Sequence, residues 1–131
     1  MTSFIYNHRG NFFLTYDGEC YLCCAENIID PDGCIVAGLA IWNTDPSIQR
    51  EAACAIATQY IQDQWINQNP PPATPVVWYI AWASAHELGH CFCLYHCNSS
   101  GCIMNGEVNV AGDPRKIYCV TCSQTISINW P

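Results

Sequence analysis

An α+β domain is the fold class this sequence predicts, and three observations carry that expectation. Short β-branched and aromatic runs bounded by turn chemistry fill the first third of the chain. Two stretches with apolar residues at helical spacing follow. The last third has little core-forming sequence but carries four cysteines in two spaced pairs. With 131 residues the chain is long enough for one domain with a sizeable core and too short for two ordinary ones. Residues 1–131 are therefore expected to form one domain, with a small twisted mixed sheet, a backing helix, a second helix in the core and a loop-rich C-terminal region.

The elements follow in order. Residues 11–16 read as a buried strand centred on Phe12-Phe13-Leu14, ended by the Asp17-Gly18 turn. Residues 20–29 read as an edge strand or extended loop. Asp30-Pro31-Asp32-Gly33 presets a turn, with proline at its second position and glycine at its end. Residues 34–42, β-branched at Ile35, Val36 and Ile41, read as a central strand that completes a hairpin. Asp45 as N-cap and Pro46 at the first helical position open a helix expected over residues 46–67, with Ile48, Ala52, Ile56, Tyr60, Ile61 and Trp65 on its apolar stripe. Pro70-Pro71-Pro72 stiffens the connection to a second helix over residues 76–91, whose first half is apolar nearly all round and is expected to be buried. Beyond Cys97 no strong regular element is apparent.

Composition excludes several classes of function. Half the residues are apolar and only 11% are charged, with four Lys and Arg and a net charge of −7. Phosphate contacts need clustered basic side chains, so nucleic acid is not an expected partner, nor is an anionic membrane surface. No apolar run approaches bilayer length, and no secretory leader is visible at the N-terminus. Eleven cysteines without an export signal point to thiolate chemistry in a reducing, cytoplasmic setting more than to a disulfide framework. Nothing suggests an oligomer, and a monomer is expected.

The chemistry concentrates in His86-Glu87-Leu88-Gly89-His90-Cys91-Phe92-Cys93-Leu94-Tyr95-His96-Cys97. On a helix His86 and His90 share one face, roughly 6 Å apart along the axis, a spacing that lets two imidazoles close on one zinc ion. Glu87 then stands beside the metal rather than on it, where it can accept a proton from a water. His96 can join only if the helix stops and the chain turns back, giving three histidines and an open fourth position. An amphipathic helix with satisfied histidines is the plain alternative for the first five residues, and His96 and Cys97 argue against it. Cys97-x4-Cys102 and Cys119-x2-Cys122 have spacings suited to a structural four-thiolate zinc site, which would supply folding free energy where burial is scarce. Buried thiols or a disulfide are the alternatives there. Cys20, Cys23, Cys24, Cys34 and Cys54 read as buried or half-buried thiols, since residues three apart on a strand chelate poorly. The five tryptophans are expected in the core and the walls of a cleft.

The HExxHxxxxxHC run, followed by Cys102-Ile103-Met104 and Cys119-Val120-Thr121-Cys122, resembles the archaemetzincins, a family of metzincin-type zinc peptidases, over roughly residues 12–122. The resemblance implies a metzincin-like fold, Met104 in a tight turn beneath the histidines, two zinc ions per chain and a peptide or protein substrate. By the same resemblance the active-site helix leads into a zinc-stapled C-terminal region, and Glu87 assists attack of water on a peptide bond. Two departures stand out. The family's usual glycine three residues after the second histidine is Cys93 here, which must either adopt a left-handed turn or, like Cys91, compete for the zinc. Some of the family's N-terminal elements are also expected to be missing. The alternative function is a catalytically inactive zinc-bound module of the same fold that binds peptides or serves as a scaffold.

Overall fold

The computed structural model describes residues 20–42, 52–106, 108 and 110–129. Among these residues the strands are β1 (Cys20–Ala25), β2 (Ile28–Ile29), β3 (Ile35–Val36), β4 (Gly38–Trp42) and β5 (Ala52–Ala57). The helices among them are α1 (Thr58–Ile66), α2 (Val76–Cys91) and α3 (Val120–Asn129). This is an α+β arrangement with a small mixed sheet, as the sequence predicts.

β5 lies at the centre of that sheet, parallel to β1 and antiparallel to β4. Ala53, Cys54, Ala55, Ile56 and Ala57 are all buried, because both faces of the strand are covered. Cys54 and Ile56 face α2, meeting Cys91 and Leu88 in one case and Tyr79, Trp82 and Ala83 in the other. Ala53, Ala55 and Ala57 face the other way, onto Ile28, Leu39 and Tyr60. Side chains this short let α2 lie close over the sheet.

β2 and β3 form a separate two-stranded hairpin, Ile28 opposite Val36. Its turn works as the sequence predicts: Asp30 Oδ1 accepts from the N–H groups of Asp32 at 3.0 Å and Cys34 at 2.8 Å, and Gly33 supplies a φ of 85°. At Ala37 the chain bends, leaves the hairpin and joins the larger sheet as β4.

The expected central strand over residues 34–42 is thus two short strands with different partners, and β4 is an edge of the sheet among the described residues. Residues 20–29 divide likewise into β1 and β2. Of the helix expected over 46–67, the described residues are helical only from Thr58 to Ile66, as α1. The middle of that expected helix, residues 52–57, is the central strand, and residues 46–51, with the strand over 11–16, lie outside the described residues. Alanine favours helix, but an uninterrupted apolar run of six has no polar face to offer solvent and suits a strand covered on both sides.

α2 crosses the sheet with Tyr79, Trp82 and Ala83 buried, yet Val77 and Trp78 are 60% and 49% exposed, so its first half is not wholly internal. Arg115 and Lys116 lie over the rings of Trp82 and Trp78, with cations 5.2 and 5.1 Å from the ring centres. Of the other tryptophans, Trp65 is half-buried and Trp42 and Trp130 fall outside the described side chains. No helix among the described residues is long and apolar enough to cross a membrane.

The C-terminal region contains one element the sequence did not reveal. α3 reads VTCSQTISIN, in which β-branched residues, Ser and Asn are poor helix formers. Its position comes from its N-terminal end, where Cys119 and Cys122 stand one turn apart and Ser123 N–H donates to the Cys119 carbonyl at 2.9 Å.

Overpacking the central strand tests its burial. Ala55→Leu places a larger side chain at a position with no exposed surface and is expected to lower stability by about 1–3 kcal/mol, read as a reduced urea midpoint.

Candidate metal centres and the cleft between helix and strand

α2 carries His86, Glu87 and His90 on the side facing β4, all three 9% exposed or less. The helix ends in a Schellman turn: Cys93 N–H donates to the His90 carbonyl at 2.9 Å and Leu94 N–H to the Gly89 carbonyl at 3.0 Å. Cys93 occupies the left-handed position, with a φ of 64°. The turn sends the chain back and places His96 against the two helical histidines. The three ring centres lie 4.9 to 5.0 Å apart.

The turn also orients what it brings together. His90 Nδ1 donates to the Leu94 carbonyl at 2.7 Å, and His86 Nδ1 donates to the Ile103 carbonyl at 2.9 Å. Carbonyl oxygens only accept, so both Nδ1 atoms carry the hydrogen and each Nε2 is left as an acceptor. Metal-binding imidazoles are commonly held by such outer hydrogen bonds. His86 Nε2 and His96 Nε2 are 3.1 Å apart, close to the roughly 3.3 Å that separates two nitrogens on a tetrahedral zinc. One nitrogen from each of the three histidines falls within 4.8 Å of the others. Burial lowers His86 from the usual 6.5 to about 4, against the Ile103 hydrogen bond, and burial lowers His90 as well. Both imidazoles are neutral near pH 7, the form that binds a cation.

Neither Cys91 nor Cys93 joins this group among the described residues. Cys91 points the other way, into the contact with Cys54. Of the two outcomes open to Cys93, the structure has the left-handed turn.

A second group comprises Cys97, Cys102, Cys119 and Cys122, with sulfur atoms within 4.8 Å of one another. Cys102 and Cys122 sulfurs are 3.8 Å apart, about the separation of two thiolates on a tetrahedral zinc. Cys119 N–H donates to Cys102 Sγ at 3.2 Å. Hydrogen bonding, first from the Cys122 backbone, draws Cys119 down to about 6, while burial pushes Cys122 up. Four thiols so close fit a shared cation better than four protons. Cys23, Cys24, Cys34 and Cys54 belong to no such group among the described residues, and Cys24 and Cys34 are exposed rather than half-buried.

The loop between the groups ties them together. Cys97 N–H donates to the Met104 carbonyl and Asn105 Nδ2 to the Cys97 carbonyl, both at 2.9 Å. Met104 is fully buried under α2, its thioether against the backbone of Gly89.

A cleft of about 650 Å³ opens in front of the histidines. One wall is residues 35–40 of β3 and β4, and Tyr60, Tyr95 and Val108 complete it. Gly38, Tyr60 and Tyr95 were not legible as cleft residues from the sequence. An isolated glycine inside a strand pattern, a mark of close approach, was the available signal for the first. Among the described residues no tryptophan lines this cleft, contrary to expectation, and none from β1 does. Glu87 faces the cleft, and burial alone pushes its carboxyl up to about 8, a shift that a cation held by the neighbouring imidazoles would oppose.

Residues 80–128 match the model of Peptidase family M54. A curated archaemetzincin from Sulfolobus acidocaldarius is 44% identical over 46 residues, which is 34% of this chain and 26% of that protein. The chain thus spans about a quarter of the length of the curated relative it matches. No solved structure matches. The resemblance to the archaemetzincins holds over the segment that carries both candidate centres, a narrower stretch than residues 12–122.

Replacing Cys93 by Gly removes a side chain from a left-handed position. The gain is expected to be about 0.5–1 kcal/mol after the added freedom of the unfolded glycine, read as a rise in thermal midpoint with metal content unchanged.

Proposed function

From a chain whose residues 80–128 are archaemetzincin-like, we propose a zinc-dependent metallopeptidase with a metzincin-like fold. The observation that carries this reading is the set of three imidazoles with Nδ1 atoms engaged or Nε2 atoms converging, beside a buried carboxylate that faces an open cleft. His86, His90 and His96 hold the catalytic zinc. A zinc ion there supplies Lewis acidity that polarises a water and the scissile carbonyl.

The chain's own residues do the rest. Glu87 takes the proton of the attacking water onto its carboxylate and delivers it to the leaving amine. The peptide lies extended along β4, the strand that walls the cleft, and pairs with its outer backbone edge. β1 is at the opposite edge of the described sheet from β4 and does not line the cleft. Cys97, Cys102, Cys119 and Cys122 hold a second, structural zinc that anchors α3 to the loop carrying His96. Met104 is the methionine of the turn beneath the histidines.

A non-catalytic peptide-binding or scaffold module of the same fold is the rival. Of its two motives, the placements of Cys91 and Cys93 do not favour a cysteine thiolate in the fourth position, and missing N-terminal elements fall outside the described residues.

Two measurements separate these readings. Elemental analysis is expected to give two zinc ions per chain, falling to one in His96→Ala and to one in Cys122→Ser. Retention of both ions in His96→Ala would remove that histidine from the site. Glu87→Ala is expected to keep both ions and its fold while losing peptide hydrolysis by at least about 10²-fold. Cleavage by this variant at the wild-type rate would discard the mechanism.

A further inference from the structure

Gly38 opens β4 directly against the side chain of Glu87. A Cβ on Gly38 would come 2.5 Å from Glu87 Cγ, 2.6 Å from Oε1 and 2.8 Å from Cδ, whereas carbon atoms in contact sit about 3.5–4 Å apart. Backbone conformation does not require the glycine. Gly33, Gly101 and Gly106 have positive φ, and Gly38 does not. Any L residue has the backbone freedom to stand there, and only the space forbids it.

The strand is the partner held in place, and the end of the Glu87 side chain, which faces the cleft, is the one that must give. Gly38 is paired with Ile56 on the central strand, and the neighbouring Ala37 carbonyl accepts from Ala57 N–H at 2.9 Å. Glu87 is carried by α2, whose neighbouring His86 is fixed to Ile103. The Glu87 side chain is 8% exposed and lies directly against Gly38, so packing sets its placement.

We propose that Gly38 is a positioning residue: its missing side chain is the slot that holds the Glu87 carboxylate between the strand and the imidazoles. The inference rests on Glu87 being the proton acceptor of the proposed hydrolysis. A methyl group in the slot must displace the carboxylate by about 1 Å to restore normal contact. Misplacement on that scale costs on the order of 10²-fold in rate. The strand that walls the cleft would thereby also set the reach of the base.

The test is a pair of double-mutant cycles on the zinc-loaded chain. Gly38→Ala is expected to retain its zinc and its KM within about threefold while kcat falls on the order of 10²-fold. In the Glu87→Asp protein, whose carboxylate is one methylene shorter, adding Gly38→Ala is expected to cost less than about threefold further. Thermal unfolding gives a readout independent of activity. Gly38→Ala is expected to lower the midpoint by about 3–6 °C in an otherwise wild-type chain and to leave it nearly unchanged in Glu87→Ala. Equal losses of midpoint in both backgrounds, or a rise in KM with kcat intact, would overturn the proposal. Coupled midpoints in a chain that cleaves no peptide would uphold the slot and overturn the hydrolytic reading instead. If Gly38→Ala does not fold, recovery of folding on adding Glu87→Ala supports the slot, and failure of both variants overturns it.

Discussion

The carbonyl oxygen of Ile103 is the junction on which the two halves of this structure depend. It accepts from His86 Nδ1 at 2.9 Å and from Trp82 Nε1 at 3.2 Å, one turn apart on α2. The same residue's N–H donates to the Ile117 carbonyl at 2.8 Å. One peptide segment thus locks a histidine tautomer, seats a core tryptophan and pins the chain that returns from α2. Cys102 precedes it and Met104 follows, so a shift there would reach the thiol group, the floor beneath Gly89 and the first imidazole together. Buried polar groups of this kind are costly when unsatisfied, which favours one arrangement of the loop.

The cleft is a product of two elements that meet at small residues. β5 presents short side chains on both faces, so the helix settles close to the sheet, and Gly38 allows closer approach still at the carboxylate. Gly89 does the same beneath the helix, where a Cβ would come 2.4 Å from the Met104 sulfur. The carboxylate and the imidazoles are thus set by van der Waals contact from the strand side and by the methionine below, with hydrogen bonds fixing the rings. Sites mounted on helices and strands in this manner hold their geometry better than sites on loops.

What the sequence disclosed follows from how local each signal is. His86, His90 and His96 were legible because helical spacing and an enforced reversal leave few ways to arrange them, and the thiols because paired spacings are local too. The turn at Asp30–Gly33 was legible for the same reason. β5 was not, since Ala, Cys and Ile at positions 52–57 fit a helical stripe as well as a covered strand, and only the partners on either side decide between them. α3 was hidden because its residues favour other conformations and its place is set by Cys119 and Cys122 meeting Cys97 and Cys102. Gly38 was hidden because its neighbour in space, Glu87, lies far along the chain, and nothing local to the strand names that partner.

His96 and Cys97 are consecutive, yet each belongs to a different candidate centre. With cations in both, the entropy of ordering this short segment would be lost once, by whichever ion arrives first. The second would then bind a loop already in place, and loading would be cooperative without any contact between the ions. Such coupling is reciprocal, so weakening the thiolate group also weakens the histidine group. Because each ion would bind the folded chain in preference to the unfolded one, the melting temperature would track free zinc by mass action. Metal supply would then set how much of the chain is folded.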